Sequence, residues 1–541
     1  MGSARTTNVY DYVIVGAGTA GCVIAARLSE NSQRTVCVIE AGGSDRSPWI
    51  STPMLYFIAN AQPARQWGFK TEPEVSLNGR SLGLTQAKLL GGASSINGMI
   101  YTRGCSKEYD SWNIPGWSFA DLLPYFNRVE CAEGNAASYG TKGPIHLTQA
   151  KADLPLSEIF LTAAEAAGYP RVANLNDDVA EGFGYVDYTI DHGRRASAST
   201  AYLRPARLRP NLTILTNSDV QRVIIEGGRA TGVSVTGPHG PFEIRADREV
   251  VLAAGAISTP KILMLSGVGP ADHLRSHEIA VKVDAPGVGA NLGNHLRFAL
   301  RYETNQPITA YCYRHPARAL AGGLDYIFRR KGFLAGTALP VSGVLRTDTT
   351  SDLPTVKASL STALFGTGRG WSGMMPDRHG FSLVFYQCSP FSRGEIRLRS
   401  SRPADPPRIA PHHLSDPRDL GVLLDATERM MDITEQPPLA KVIATAARRE
   451  SRDVLAANIR ATANNVYHTV GTCRIGSDPL SVVDPQLNVQ GITGLRVADS
   501  SVIPRPIGSG TYALALMIGE KAADLITNST PAPGALAPDR K

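Results

Sequence analysis

The sequence predicts an α/β protein, α+β overall, in which a discontinuous Rossmann-like nucleotide-binding domain holds an inserted second domain. Three observations predict this fold. A strand, a glycine-rich turn, a helix and a second strand follow one another at residues 12–40, which is the pattern of a βαβ unit. Strand-like segments return at 211–257 and again at 494–504. The long stretches between them alternate strand-like and helical patterns, which indicates a second domain.

The composition is typical of a large globular protein, with 541 residues, 43% of them hydrophobic and 19% charged. The net charge is +7, but the arginines are spread along the chain and no aromatic residues interleave with them. We therefore expect a solvated basic surface and no nucleic-acid partner. The seven cysteines are an odd number without C-x-x-C spacing, so we expect reduced, mostly buried thiols.

The N-terminus reaches its first strand within about ten residues, which leaves no room for a signal peptide. No apolar run approaches the ~20 residues that a membrane-spanning helix needs. The sequence therefore predicts a soluble protein without a membrane span, cytoplasmic in location.

The first motif is a glycine-rich turn, Gly16-x-Gly18-x-x-Gly21, between the first strand and the first helix. Its glycines permit a tight turn, close approach of a pyrophosphate and close packing of the helix on the strand. Glu40 ends the next strand, where its carboxylate can accept hydrogen bonds from a ribose hydroxyl. In this context the motif predicts a dinucleotide site.

A second glycine-rich segment runs from 88 to 104, KLLGGASSINGMIYTRG. Small residues at Gly91 and Gly92 let backbone N–H groups approach a flat or anionic ligand, and Asn97 and Gly98 lie further along the same wall. Taken alone, the segment could also be a flexible surface loop.

These motifs resemble those of the glucose–methanol–choline (GMC) oxidoreductases, a flavoprotein family. The resemblance rests on LLGGASSINGMIYTRG and continues, in the family's order, in GAISTPKILMLSGVGP, PGVGANLGNHL, YHTVGTCRIG and VVDPQLNVQGITGLRVADSSVIP. It covers residues 11–526, most weakly in the second domain. It implies an FAD cofactor, noncovalently bound because Ala93 and Ser94 stand where some members carry a histidine for covalent attachment.

The strand-like and helical patterns along the chain divide it into two domains. Residues 9–154, 195–299 and 456–527 would form the FAD-binding domain. Residues 155–194 and 300–455 would form the substrate domain, built on an antiparallel sheet with helices. The tail at 528–541 is rich in Pro, Ala and polar residues and is expected to be disordered.

The resemblance assigns the cofactor contacts residue by residue. Glu40 would hold the adenosine ribose, and the backbone of Val220 would contact the adenine. Asn97 and Gly98 would lie near the reactive edge of the flavin. Asp499 would bind the ribityl or pyrophosphate region, and Gly255 would help to close the pocket.

His468 matches the active-site histidine of the family. A neutral imidazole can accept the proton of an alcohol while the carbinol hydride passes to flavin N5. The family commonly supplies a second His or Asn, and this chain has Tyr512 there, which could orient the hydroxyl or simply pack. Two smaller departures accompany it: Gln86-Ala87 stands where the family often has Arg-Gly, and Asn294 stands where Asp is frequent. His295 resembles a structural position beside the nucleotide.

The leading interpretation is an FAD-dependent enzyme that oxidises an alcohol to a carbonyl, with an aromatic or medium-chain alcohol favoured. Its partners would be the small-molecule alcohol and O₂ or another electron acceptor; the oligomeric state stays open. Alternatives are a non-redox or light-driven member, like a hydroxynitrile lyase or a fatty-acid photodecarboxylase, and a non-catalytic flavin-binding protein. No His, Cys or Asp grouping has metal-ligand spacing, so no metal site is predicted.

Overall fold

Two large β-sheets organise the computed structural model, which describes residues 8–132, 139–151, 153–348, 350, 352–364, 378–445 and 449–529. One sheet has seven strands and the other has six. Each sheet carries its own buried apolar core. The α/β fold class that the sequence predicts is confirmed.

The seven-stranded sheet contains the predicted βαβ unit. Its strands run in the order Leu212–Leu215, Val36–Ile39, Val9–Val15, Gly240–Leu252, Arg229–Gly237 and Asp219–Glu226, and Leu495–Val497 pairs with the end of Gly240–Leu252. The pairings in the first half and the pairing of the late strand are parallel. Because parallel strands end at a common edge, the loops that follow them converge on one place.

Helices cover this sheet, chiefly Thr19–Leu28, Phe119–Val129, Gly255–Leu265 and Thr511–Asn528. The last helix packs closely on the first, since a methyl group at Gly519 would lie 2.7 Å from Val23 Cβ. The C-terminal part of the chain therefore returns to the N-terminal sheet, as the sequence predicts. Residues 530–541 of the predicted tail lie outside the described residues.

The six-stranded sheet is antiparallel throughout, in the order Asn464–Asn465, Leu296–Glu303, Gly380–Gln387, Val356–Ser361, Val341–Leu345 and Gly182–Tyr185. Helices Pro155–Ala166, Pro417–Thr434 and Arg452–Thr462 accompany it. The strand Leu296–Glu303 contains residues on both sides of the boundary predicted between 299 and 300. The sheet thus draws strands from segments that the sequence assigns to both domains.

The remaining elements are short, apart from the helix Pro316–Arg329. The other helices are Pro48–Ser51, Tyr56–Asn60, Ser106–Asp110, Arg204–Ala206, Ala271–Ser276 and Pro437–Ala440. The other strands are Phe69–Lys70, Gly83–Leu84, Ile100–Tyr101, Glu130–Ala132, Ile145–Gln149, Asp187–Tyr188, Ile190–Asp191, Arg194–Arg195, Val268–Gly269, Val283–Asp284, Glu395–Arg397 and Arg408–Ala410.

All seven cysteines are free thiols, five of them buried. Within the described ranges, no helix combines the length and the apolar character that crossing a membrane requires.

Candidate active site

A cavity of about 680 Å³ lies between the two sheets, where the parallel strands end. Its walls include Val15 and Ile39 of the seven-stranded sheet and Val384 and Tyr386 of the six-stranded sheet. Most residues that the sequence singles out line it together: Gly16, Gly18, Glu40, Gly92, Asn97, Gly98, Val220, Gly255, His468, Asp499 and Tyr512. Gly21 and Gly91 do not line it, and both lie just behind its wall.

The glycine turn explains why Gly21 matters without touching the cavity. Gly16 adopts a φ of +97°, which a side chain rarely permits. A methyl group at Gly21 would lie 1.9 Å from the Gly16 carbonyl oxygen. One at Gly92 would lie 2.8 Å from Gly18 Cα, so the two glycine-rich segments pack directly on each other. The spacing of the motif is therefore required by backbone packing.

The carboxylate of Glu40 is hydrogen-bonded to the backbone of this turn. Its Oε2 accepts a hydrogen bond from Ala17 N at 3.0 Å, and its Oε1 accepts one from Gly42 N at 2.9 Å. Burial raises the pKa of Glu40 to about 7. Each carboxylate oxygen keeps a further lone pair for a ribose hydroxyl, which would favour the charged form.

The cavity fits a dinucleotide with a flat ring. The helix Thr19–Leu28 begins at Gly18 with no side-chain cap, so its first N–H groups can receive an anionic pyrophosphate. Methyl groups at Gly98 and Gly255 would meet no protein atom within 4 Å and would project into the open cavity. These positions leave the space that a bound ring and its linker need.

Arg195, which sequence reasoning missed, fixes the wall that Asn97 forms. Its Nη1 donates to Asn97 O at 2.8 Å, to Asn97 Oδ1 at 2.6 Å and to Ser94 O at 3.1 Å. Its Nε donates to Ile50 O at 2.9 Å. Burial lowers the pKa of Arg195 to about 9. Because 98 residues separate it from Asn97 in the chain, no local pattern could have revealed this contact.

Asp499, which follows the strand Leu495–Val497, is hydrogen-bonded to the start of the helix Gly255–Leu265. Its Oδ2 accepts hydrogen bonds from Gly255 N at 2.8 Å and from Thr259 Oγ1 at 2.6 Å. Its Oδ1 accepts one from Ser501 N at 2.8 Å. The carboxylate therefore anchors the start of the helix Gly255–Leu265 at the cavity edge, and its predicted contact with a cofactor stays a prediction.

His468 belongs to a histidine pair whose tautomers the structure determines. Burial lowers the pKa of His295 to about 4, so that ring is neutral. A carbonyl oxygen can only accept, so His295 Nε2 donates to Cys388 O at 2.8 Å. His295 Nδ1 then carries no proton and accepts from His468 Nδ1 at 2.9 Å. His468 is left with an unprotonated Nε2, which is the acceptor that a base requires.

The free nitrogen of His468 faces the cavity. A methyl group at Gly510, which also lines the cavity, would lie 3.4 Å from His468 Nε2. Burial lowers the pKa of His468 well below 6.5, with smaller contributions from His295 and Lys357. The imidazole is therefore neutral near pH 7 and able to take a proton.

A chain of amides sets the backbone position of His468. Asn294 Oδ1 accepts from His468 N at 3.0 Å, and Asn294 Nδ2 donates to Asn465 Oδ1 at 3.0 Å. Asn465 Oδ1 also lies 2.9 Å from Nε2 of His413, a buried histidine. Asn294, a departure from the family pattern, thus fits this network as a donor and an acceptor at once.

Tyr512 has a different partner from the one that its sequence position suggests. Its hydroxyl donates to Ala196 O at 3.0 Å, which orients the phenol toward the backbone beside Arg195. The aromatic neighbour of the base is instead Tyr386, whose ring centre lies 5.8 Å from that of His468 and 4.5 Å from that of His295. Sequence reasoning also missed Tyr386, since nothing local distinguishes it from a packing residue in its strand.

Comparison with known proteins decides the family. Two family models, both described as GMC oxidoreductase, match residues 10–297 and 390–519. The chain belongs to the GMC oxidoreductases. Two oxygen-dependent choline dehydrogenases are similar over nearly all of it: that of Brucella anthropi is 37% identical over 532 residues, and that of Sinorhizobium fredii is 36% identical over 533 residues. In both comparisons, 96% of each chain is covered.

Solved structures of GMC type have the same fold. Pyridoxine 4-oxidase from Mesorbium loti is 29% identical, with a TM-score of 0.85 over 95% of this chain and 98% of its own. A formate oxidase from Aspergillus oryzae is 27% identical, with a TM-score of 0.90 over 97% and 99% of the two chains. The GMC oxidoreductase described here is thus an FAD-dependent alcohol oxidoreductase. GMC oxidoreductases bind FAD, and the glycine-lined cavity fits it.

Proposed function

We propose that this enzyme oxidises a small alcohol to the corresponding carbonyl compound, with His468 Nε2 as the base that takes the hydroxyl proton. The observation that carries the proposal is the tautomer of His468, which leaves an unprotonated nitrogen facing the cavity. Bound FAD supplies the acceptor for the carbinol hydride. Removal of the hydroxyl proton makes the carbinol carbon a better hydride donor, so base and acceptor act on adjacent atoms of the alcohol.

His295 and Asn294 act as positioning residues in this proposal. His295 holds the proton on Nδ1 of His468, and Asn294 holds the backbone of His468 in place. When Nε2 takes the alcohol proton, the imidazolium keeps its Nδ1 hydrogen bond to His295. The carbonyl product then leaves the cavity, and O₂ or another electron acceptor would take the two electrons that bound FAD receives.

The names of the two similar dehydrogenases indicate which alcohols should be tested. Their names give choline as the substrate, which does not support the preference of the sequence analysis for an aromatic or medium-chain alcohol. Choline is therefore the first alcohol to test, beside short alcohols of other charge. FAD is proposed to be noncovalent, because Ala93 and Ser94 offer no group for attachment.

The residues that line the cavity suggest which segments hold FAD and which cover the alcohol. Segments 9–154, 195–299 and 456–527 are proposed to hold FAD, while 155–194 and 300–455 cover the alcohol. Supporting this, the turn at Gly16–Gly21 follows a strand of the seven-stranded sheet, and the second glycine-rich segment packs on that turn at Gly92. The wall that contains Tyr386 belongs to the six-stranded sheet.

The proposal is tested by turnover of the FAD-loaded enzyme with a panel of alkyl, aryl and charged alcohols, with carbonyl product as the readout. We expect product from at least one alcohol. The variant Tyr512→Phe should retain most of the activity, because the Tyr512 hydroxyl is engaged with Ala196 O and not with the base. Absence of carbonyl product from every alcohol would contradict the proposal, and loss of all activity in Tyr512→Phe would move the base assignment toward Tyr512.

A further inference from the structure

The cavity wall of the six-stranded sheet carries two cationic side chains in register. Arg297 and Lys357 both pair with Tyr386, which lies on the strand between theirs. Directly opposed residues of neighbouring antiparallel strands project to the same face, with Cβ atoms about 5 Å apart at each step. The three side chains therefore form one row, and all three line the cavity.

This row lies beside the proposed base. The ring of Tyr386 contacts both histidines, with ring centres 4.5 Å from His295 and 5.8 Å from His468. The positive charge of Lys357 contributes to the low pKa of His468, as expected for an ammonium group near that ring. The two cations thus flank the space in which the reacting alcohol must bind.

Little in the protein neutralises these cations. Among the described residues, the half-buried Arg297 guanidinium has no hydrogen bond or ion pair. Lys357 is 6% exposed, and its Nζ donates to Thr102 Oγ1 at 3.0 Å. Burial lowers the pKa of Lys357 to about 8, so it is still mostly protonated at pH 7. A cation as buried as Lys357 normally has an anionic partner.

The nearby carboxylates are committed elsewhere. Cys388 and then Glu108 are the acidic groups that favour the charged form of Lys357. Burial raises the pKa of the Cys388 thiol well above its ordinary value, so the thiol is neutral. The Glu108 oxygens accept backbone N–H groups of Gly508 at 2.7 Å and Cys105 at 3.0 Å. Burial also raises the pKa of Glu108 to about 7. The carboxylates that line the cavity all adjoin strands of the seven-stranded sheet, on the opposite wall: Glu40, Asp219 and Asp499.

We propose that Arg297 and Lys357 form a subsite for an anionic group, such as a carboxylate, on the alcohol that His468 deprotonates. The proposal rests on the proposed alcohol oxidation and names its substrate class. An anion in this position would complete the hydrogen bonds of the guanidinium and the ammonium. A quaternary ammonium would instead place like charges together on this wall, so choline is expected to be a poor substrate despite the names of the relatives.

The test compares three alcohols of similar size: 4-hydroxybutanoate, the neutral 3,3-dimethylbutan-1-ol, and choline. We expect kcat/KM on the FAD-loaded enzyme to fall in that order. Arg297→Gln and Lys357→Met should each lower kcat/KM for 4-hydroxybutanoate by about 10–100-fold, the worth of one charge-assisted hydrogen bond, chiefly through KM. In both variants, kcat/KM for the neutral alcohol should fall less than kcat/KM for 4-hydroxybutanoate. All three alcohols should keep their kcat/KM in the control Arg301→Gln, which changes a cation of the same strand outside the cavity lining.

A charge-reversal variant distinguishes loss of the subsite from misfolding of the protein. Arg297→Glu should invert the preference, raising kcat/KM for choline while lowering it for 4-hydroxybutanoate, and a damaged fold cannot produce a gain. Choline as the best substrate of the wild type would overturn the proposal. So would an equal loss for all three alcohols in Arg297→Gln and Lys357→Met, which would assign the cations to the flavin.

Binding without turnover separates this proposal from the proposed function. Butanoate lacks the hydroxyl, so it can be titrated into the FAD-loaded enzyme while the flavin absorbance reports its binding. Saturable binding to the wild type that weakens in Arg297→Gln and Lys357→Met, with no alcohol oxidised, would keep the subsite and overturn the proposed function. No binding of butanoate, together with oxidation of choline, would keep the function and overturn the subsite.

Discussion

At the scale of single residues, the proposed proton transfer depends on which nitrogen of His468 carries a proton. The pair of hydrogen bonds from His468 to His295 and from His295 to the Cys388 carbonyl fixes this, because the carbonyl can only accept. The histidine therefore meets the alcohol as an acceptor, whatever the alcohol is. The fixed tautomer makes the pH dependence of the reaction predictable.

The pH profile with a neutral alcohol should show the low pKa of His468. Activity needs the neutral imidazole, and burial lowers its pKa well below 6.5. Lowering the pKa moves the loss of activity to lower pH, so kcat/KM should be level from about pH 7 to pH 8 and should fall only well below pH 6.5. Steady-state rates with 3,3-dimethylbutan-1-ol measure this without a charged substrate group that could pair with Lys357. An acid limb centred above pH 7 would contradict the burial of the base.

At the scale of elements, the two glycine-rich segments have distinct tasks that a matched pair of variants can separate. Gly98→Ala would add a methyl group to open cavity, so the fold should be retained while the affinity for FAD falls. Gly21→Ala would press a methyl group onto the Gly16 carbonyl, which should destabilise the fold itself by about 1–3 kcal/mol. FAD titration and thermal unfolding of the FAD-free protein distinguish them. Gly98→Ala with wild-type FAD affinity would show that this space is not cofactor space.

Features formed by elements that are neighbours in the chain could be predicted from the sequence. The turn at Gly16–Gly21 and Glu40 were predictable because strand, turn and helix are neighbours in the chain. The row of Arg297, Tyr386 and Lys357 was not, because it exists only once three distant strands pair in a particular register. His295 was assigned a structural position for the same reason, since 173 residues separate it from His468.

At the scale of the whole molecule, the active site is a property of two sheets together. One sheet ends in the turn at Gly16–Gly21, on which the second glycine-rich segment packs, and the other presents Tyr386 and the cations. His468 follows the short strand Asn464–Asn465 at the edge of the six-stranded sheet, so the base enters from the substrate side. Neither sheet alone contains a complete site, which is consistent with a chain that interleaves the segments of both.

The most direct measurement is the rate constant of flavin bleaching after anaerobic mixing of the FAD-loaded enzyme with a saturating alcohol. We predict that His468→Asn lowers this constant by about 10²–10⁴-fold, the usual worth of a positioned base, with unchanged FAD content. His295→Asn, which keeps an acceptor for His468 Nδ1, should be faster than His295→Leu, which removes it. Bleaching by His468→Asn within a few-fold of the wild-type rate would contradict the account, because the proton would then leave by another route.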